Sequence, residues 1–197
     1  MKKIIFVLLS AFLLFSVSCT DDLPLDKDLT KKSYDLINQN GEEVIFPEYI
    51  LCNITVMGFI YTHCPDICPM TTHNMYLTQK KLKESGINNV KFVALSFDPE
   101  RDSPEVLTKF AEIRELDFSS WTLLTGSKPV ISDLMRRFDV KAIKTDKTID
   151  DEGNPEYSMM HTDRISLIDS KGQLRKNYKG STLNIEELVN DIKTLED

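Results

Sequence analysis

The sequence predicts an α/β domain: a central mixed sheet flanked by helices, with a β-hairpin added at the N-terminal end. Three observations predict it. Apolar strand-like runs alternate with helical segments between Ile54 and Phe138. Two turn signals, Asn40-Gly41 and Asp169-Ser170-Lys171-Gly172, each lie between short strand-like runs. The chain has 197 residues, 41% of them hydrophobic, which suffices for one core.

Taken in order, Tyr34 to Ile37 and Glu43 to Phe46 flank Asn40-Gly41, a pair that accepts positive φ at both turn positions. Ile54 to Tyr61 is apolar and rich in β-branched and aromatic residues, the pattern of a buried central strand. Pro65 to Ser85 reads as a helix stopped by Gly86. Val90 to Phe97 is a second apolar strand. Ser103-Pro104 supplies an N-cap and a first-turn proline for a helix to about Arg114. Trp121 to Leu124 is a short strand, and Ser127 with Pro129 opens a helix ending near Phe138. Lys141 to Tyr157 is polar, contains Gly153-Asn154-Pro155, and reads as a long loop. Arg164 to Ile168 and Leu174 to Tyr178 form the second hairpin. Asn184 and Glu187 have capping-box spacing for a final helix to Leu195. Strand–helix alternation closed by a hairpin and a helix matches the thioredoxin-like architecture.

The N-terminus reads as a targeting segment. Lys2 and Lys3 precede an apolar stretch from Ile4 to Phe15, too short to span a bilayer comfortably and suited to a signal peptide. It ends at Ser16-Val17-Ser18-Cys19, which resembles a bacterial lipobox, with Ser16 where that pattern usually has Leu. The expected organisation is a lipoprotein signal peptide over 1–18, a polar tether over 19–32 beginning at a lipidated Cys19, and a domain over 33–197. Removing 1–18 takes two lysines from a net charge of −7, leaving −9. No basic block is present, so nucleic acid is excluded as a partner. Beside the lipidated Cys19, three cysteines then remain as thiols, and an oxidising envelope demands a reason for any that stay reduced. Cys52 reads as a buried, inert thiol.

The chemistry concentrates at Cys64-Pro65-Asp66-Ile67-Cys68. Cys64 sits where a strand ends and a helix begins, and helix N-termini favour a thiolate. Cys68, four residues on, places a second sulfur one helical turn away. Such a pair can form a disulfide or hold one soft ion such as Cu(I). A structural zinc site would want four ligands, and no second Cys or His pair exists to complete one. Of the histidines, His73 falls on the opposite helix face from Cys64. His63 points elsewhere if the strand continues. In a thioredoxin-like topology, His161 is the one delivered to the cysteines.

These residues carry a close resemblance. The chain resembles the Sco/SenC/PrrC family of copper-dependent cytochrome oxidase assembly factors. Gly58 to Pro69 matches that family's Cys-x-x-x-Cys block, and Ser96 to Glu105 matches its second block. Leu124-Thr125-Gly126 matches the third. His161-Thr162, with Leu167-Ile168-Asp169 and Gly172, matches the fourth. The likeness covers Tyr34 to the C-terminus. It implies a Cu(I)- and Cu(II)-binding chaperone with Cys64, Cys68 and His161 as ligands. The expected partner is cytochrome c oxidase subunit II, or another copper-receiving protein of the cell envelope. One departure is Met160, where the family usually has Asp.

Several residues read as structural. Asp102 is expected to cap a helix, Asp98 is open between capping and an acidic rim, and Met159 and Met160 are expected in the core. The competing function is a thiol–disulfide oxidoreductase using Cys64 and Cys68 as a redox pair on client cysteines. A peroxiredoxin is disfavoured, because Met57 and Tyr61 occupy the positions where that chemistry wants Pro and Thr or Ser.

Overall fold

The structure is a computed structural model that describes residues 23–149 and 155–196. Strand β1 (Lys27–Asp28) leads through a short 3-10 turn to β2 (Tyr34–Asn38) and β3 (Glu43–Phe46). Then come β4 (Ile54–Ile60), α1 (Ile67–Glu84), β5 (Val90–Ser96), α2 (Pro104–Ile113), β6 (Trp121–Thr125) and α3 (Lys128–Arg137). The chain ends with β7 (Ala142–Ile149), β8 (Pro155–His161), β9 (Ile165–Ile168), β10 (Gln173–Tyr178) and α4 (Ile185–Glu196). Eight strands form one mixed sheet in the order β1-β10-β9-β4-β5-β6-β2-β3, the thioredoxin-like core with a hairpin added at the β6 edge. Strands β7 and β8 form a separate two-stranded ribbon. Among the described residues, no helix is long and apolar enough to cross a membrane.

Central β4 is buried along its whole length, parallel to β5 and antiparallel to β9. That is why its sequence is a continuous apolar run and not an alternating one. Trp121 begins β6 fully buried, stacked on Phe92 at 5.3 Å between centroids. Its indole N–H donates to Gln79 Oε1 at 3.0 Å, so the polar handle is satisfied inside the core. Helix α1 stops as its sequence demands. Gly86 takes φ +82, and the Ile87 N–H donates to the Leu82 carbonyl at 2.9 Å. Ser103 caps α2 through Oγ, which accepts the Val106 N–H at 3.4 Å.

The structure corrects four readings of the sequence. Residues 141–157 are no loop, since most of them build the β7–β8 ribbon. Ile143 and Ile149 are exposed there, so burial imposes no apolar alternation by which strands are recognised. Gly153 and Asn154 lie outside the described residues. Cys52 is exposed, in a turn with φ +64 whose N–H donates to the Ser170 carbonyl at 2.8 Å. Met160 is 65% exposed, not core, while Met159 packs against the core.

The fourth correction concerns the tether. Residues 23–32 are not a free spacer. β1 pairs with β10, and Leu29 is 1% exposed. Asp28 caps the 3-10 turn by accepting from the Thr30 N–H at 3.0 Å. A strand of two residues carries no periodicity, and its acidic neighbours mask the apolar anchors Leu29 and Leu23. Cys19 and the signal peptide lie outside the described residues. A chain starting at Ser33 should therefore be less stable than one starting at Leu23. Losing a buried leucine alone costs about 2–5 kcal/mol, or roughly 5–15 °C for a domain of this size. Equal melting temperatures for the two chains would show that this strap contributes nothing.

Candidate metal centre

β4 delivers the chain to the top of the sheet, where the Cys64 N–H donates to the Tyr61 carbonyl at 3.3 Å in a tight turn. Helix α1 begins at Ile67, later than the sequence suggested. Cys64 therefore precedes the helix, and Cys68 lies in its first turn. The loop folds so that the Cys68 N–H donates to Cys64 Sγ at 3.4 Å. Cys64 thus receives one of the helix's unpaired amides directly. Pro69 costs this turn nothing, because its missing N–H would have had no helical partner.

His161 arrives at the end of β8. Its Nε2 lies 3.7 Å from Cys68 Sγ. Its Nδ1 lies 3.1 Å from the Thr162 carbonyl, which can only accept, so the proton sits on Nδ1 and the Nε2 lone pair faces the sulfurs. Tyr61 meets the imidazole edge-on at 5.9 Å and Phe97 packs at 4.9 Å, walling it on apolar surface. The three ligand atoms of Cys64, Cys68 and His161 lie within 4.8 Å of one another. Donors a little over 2 Å from one ion sit roughly 3.5–4 Å apart, so small side-chain shifts would close this triangle around a soft metal.

The thiols are strongly unequal. The hydrogen bond from the Cys68 thiol, helped by His161 and by backbone N–H groups, outweighs burial and holds Cys64 down to about 3. Cys68 is pushed up, first by the neighbouring Cys64 and then by its own burial. Burial pulls His161 down, but its bond to Cys64 and the Thr162 carbonyl outweigh that and raise it. Although Nε2 contacts the Cys68 sulfur, Cys64 supplies the charge, because Cys68 keeps its proton. The reduced protein should hold one thiolate well below the pKa of about 8.5 of a free cysteine. Folding gains from that ionisation above the unfolded thiol's pKa and loses the gain as pH falls toward about 3. Ultraviolet thiolate absorbance against pH measures it, and Cys68→Ala should move the loss to higher pH. A wild-type step near the free-cysteine value would contradict the arrangement.

The other two histidines lie away from the site. His63 is exposed, with Nδ1 3.0 Å from Thr62 Oγ1, and His73 is exposed beside Tyr76. Asp102 is not a helix cap. Fully buried, it accepts from Ser96 Oγ at 2.5 Å, Thr62 Oγ1 at 2.6 Å and the Thr62 N–H at 3.0 Å. It ties the turn before Cys64 to the end of β5. Asp98 is buried too, accepting from Tyr157 Oη and Arg101 Nε, each at 2.6 Å. Asp163 accepts from the Ser181 N–H at 3.1 Å and Thr71 Oγ1 at 3.3 Å, fastening the chain just past His161 to α1. The only sequence signal for these was a carboxylate beside Ser, Thr or Pro, which is equally the signature of an ordinary turn.

Comparison with known proteins places this site in context. The SCO1/SenC family model matches residues 24–197. A SCO1 protein homolog from Bacillus subtilis is 33% identical over 159 residues, covering 80% of this chain and 78% of that protein. The crystal structure of a SCO1/SenC family lipoprotein from Bacillus anthracis matches with a TM-score of 0.73 and 31% identity, over 88% of this chain and 98% of that one. The crystal structure of Arabidopsis thaliana ScoI with copper bound matches at 0.71 and 28% identity, over 84% and 97%.

Proposed function

The chain belongs to the SCO1/SenC family, and from that premise we propose that it binds copper through Cys64, Cys68 and His161 and passes it to the dinuclear copper centre of cytochrome c oxidase subunit II. The observation that carries this reading is the meeting of two sulfurs and one imidazole nitrogen within 4.8 Å, from residues up to 97 positions apart. Two thiolates and a neutral imidazole are the donor set a soft monovalent ion prefers. The copper-bound Arabidopsis relative supports it. Met160 brings no carboxylate beside His161, and its side chain is exposed, so the site favours Cu(I) over Cu(II). Copper displaces the Cys68 proton, so uptake near neutral pH releases about one proton and weakens as pH falls. The site would face the cell envelope, the domain being held to the membrane by a lipid on Cys19, as the lipoprotein relative from Bacillus anthracis suggests.

Anaerobic Cu(I) titration of the reduced protein against a competing chelator tests it. One copper per chain is expected, with His161→Ala weakening it about 10- to 100-fold. Weak binding, or indifference to His161, would defeat the assignment.

A second reading rests on the unequal thiols. The Cys64 thiolate can attack a client disulfide, releasing one client sulfur as thiolate and forming a mixed disulfide. Cys68, losing its proton, then displaces the second client sulfur, leaving a Cys64–Cys68 disulfide and a reduced client. Copper delivery needs reduced client thiols, so the two activities are compatible.

A further inference from the structure

His161 stands on an unusual platform. Among the described residues, strands β7 and β8 join no other strand. On the side facing α3 a groove of about 360 Å³, lined by Phe97, Ile131, Met135, Ile143 and Met159 among others, separates the ribbon from the body. The Cys pair is held independently, by the turn after β4 and the first turn of α1. The ligand triangle therefore depends on what fastens β8 to the sheet.

The fastening is a three-residue cluster four positions before His161. Tyr157 Oη donates to Asp98 Oδ1 at 2.6 Å. Arg101 Nε donates to Asp98 Oδ2 at 2.6 Å, and Arg101 Nη1 donates to the Tyr157 carbonyl at 3.0 Å. The guanidinium carbon also lies over the Tyr157 ring, 3.5 Å from its centroid. Asp98 is 1% and Tyr157 8% exposed. Charge-assisted bonds in such surroundings are strong and directional. Arg101 grips both backbone and side chain of Tyr157 while its own position is set by the loop that follows β5. The next contact along β8 is weaker: the Met159 N–H donates to Tyr61 Oη at 3.3 Å.

We propose that Asp98, Arg101 and Tyr157 form a latch that positions His161 over the cysteines. The latch decides whether the site offers three ligands or two. This rests on the copper reading above only for its consequence; the latch itself is a claim about the ribbon. Tyr157→Phe removes one bond to Asp98 and keeps the ring under Arg101. Arg101→Lys keeps a charge beside Asp98 and loses the planar fork.

Two measurements test it. Hydrogen exchange in the reduced, metal-free protein should rise about 10-fold over 157–161 in both variants, with α1 unchanged. Unchanged exchange over 157–161 in both variants would overturn the latch, whatever copper does. Cu(I) affinity closes a double-mutant cycle with His161→Ala. Each latch variant should weaken copper about 10-fold alone and have no further effect when His161 is already alanine. An equal loss in both backgrounds would mean that the cluster supports the fold generally and does not act through His161. If His161→Ala is itself without effect on copper, the ligand assignment fails, while the exchange result still decides the latch.

Discussion

Replacing both Cys64 and Cys68 by serine is expected to abolish tight Cu(I) binding, lowering affinity at least ~10³-fold. Serine keeps the shape nearly unchanged but offers a hard, protonated oxygen in place of each soft sulfur. Nothing nearby can substitute. Among the described residues, no other group of three or more potential ligands converges, and Cys52 lies exposed in the turn before β4. The single changes should differ. Cys64→Ser removes the atom that is already a thiolate in the apo site, so the one remaining sulfur, on Cys68, must shed its proton to bind. Cys68→Ser leaves that thiolate, now without its thiol donor. The serine pair should also leave the fold intact, because each cysteine lies in the core and serine nearly matches its volume. Chelator competition and circular dichroism on the same samples measure the two halves. Submicromolar copper binding that survives the double change would move the site elsewhere in the chain.

Asp102→Ala should destabilise the reduced protein by about 3 kcal/mol, without touching any ligand. The carboxylate is fully buried and accepts from Ser96 Oγ, Thr62 Oγ1 and the Thr62 N–H. Alanine leaves these donors desolvated and unpaired, at roughly 1–3 kcal/mol each before relaxation. Asp102→Asn should be much milder. Burial raises the Asp102 pKa more than its hydrogen bonds lower it, so a neutral group of the same shape escapes much of that penalty, and both hydroxyls can rotate to accept. Urea unfolding reports the difference. An alanine variant within about 0.5 kcal/mol of wild type would show that Asp102 is not the tie between the Cys64 turn and β5.

The parts of this protein that were legible in its sequence are those where one physical constraint acts alone. β4 declares itself because both its faces are buried. The Asn40-Gly41 turn declares itself through positive φ, realised at Gly41 with φ +80. Ser103-Pro104 and Gly86 announce helix ends through backbone groups that need partners. Cys64 and Cys68 are visible from spacing, although the helix starts too late for both to share its face as the spacing alone implied. His161 was reachable through topology and through the family block that carries it, since its residue type alone does not distinguish it from His63 or His73.

What stayed hidden depends on partners remote in sequence. Ribbon β7–β8 hides because its faces are solvated or lie against a groove, leaving Ile143 and Ile149 exposed where a strand pattern would bury them. Strap β1 hides because it is held by Leu29, by Leu23 packed on the core and by pairing with β10, 145–147 residues downstream. Asp98, Asp102 and Asp163 look like turn residues until the loops from β4, β5, β8 and α1 are brought together around them.

The central claim is that one copper ion is held by two sulfurs and one imidazole. X-ray absorption at the copper edge of the singly loaded, reduced protein tests it most directly. Two sulfurs and one nitrogen in the first shell, with the nitrogen and its outer imidazole scattering lost in His161→Ala, is the predicted result. A shell of oxygen and nitrogen alone, or a sulfur shell that His161→Ala leaves unchanged, would contradict it.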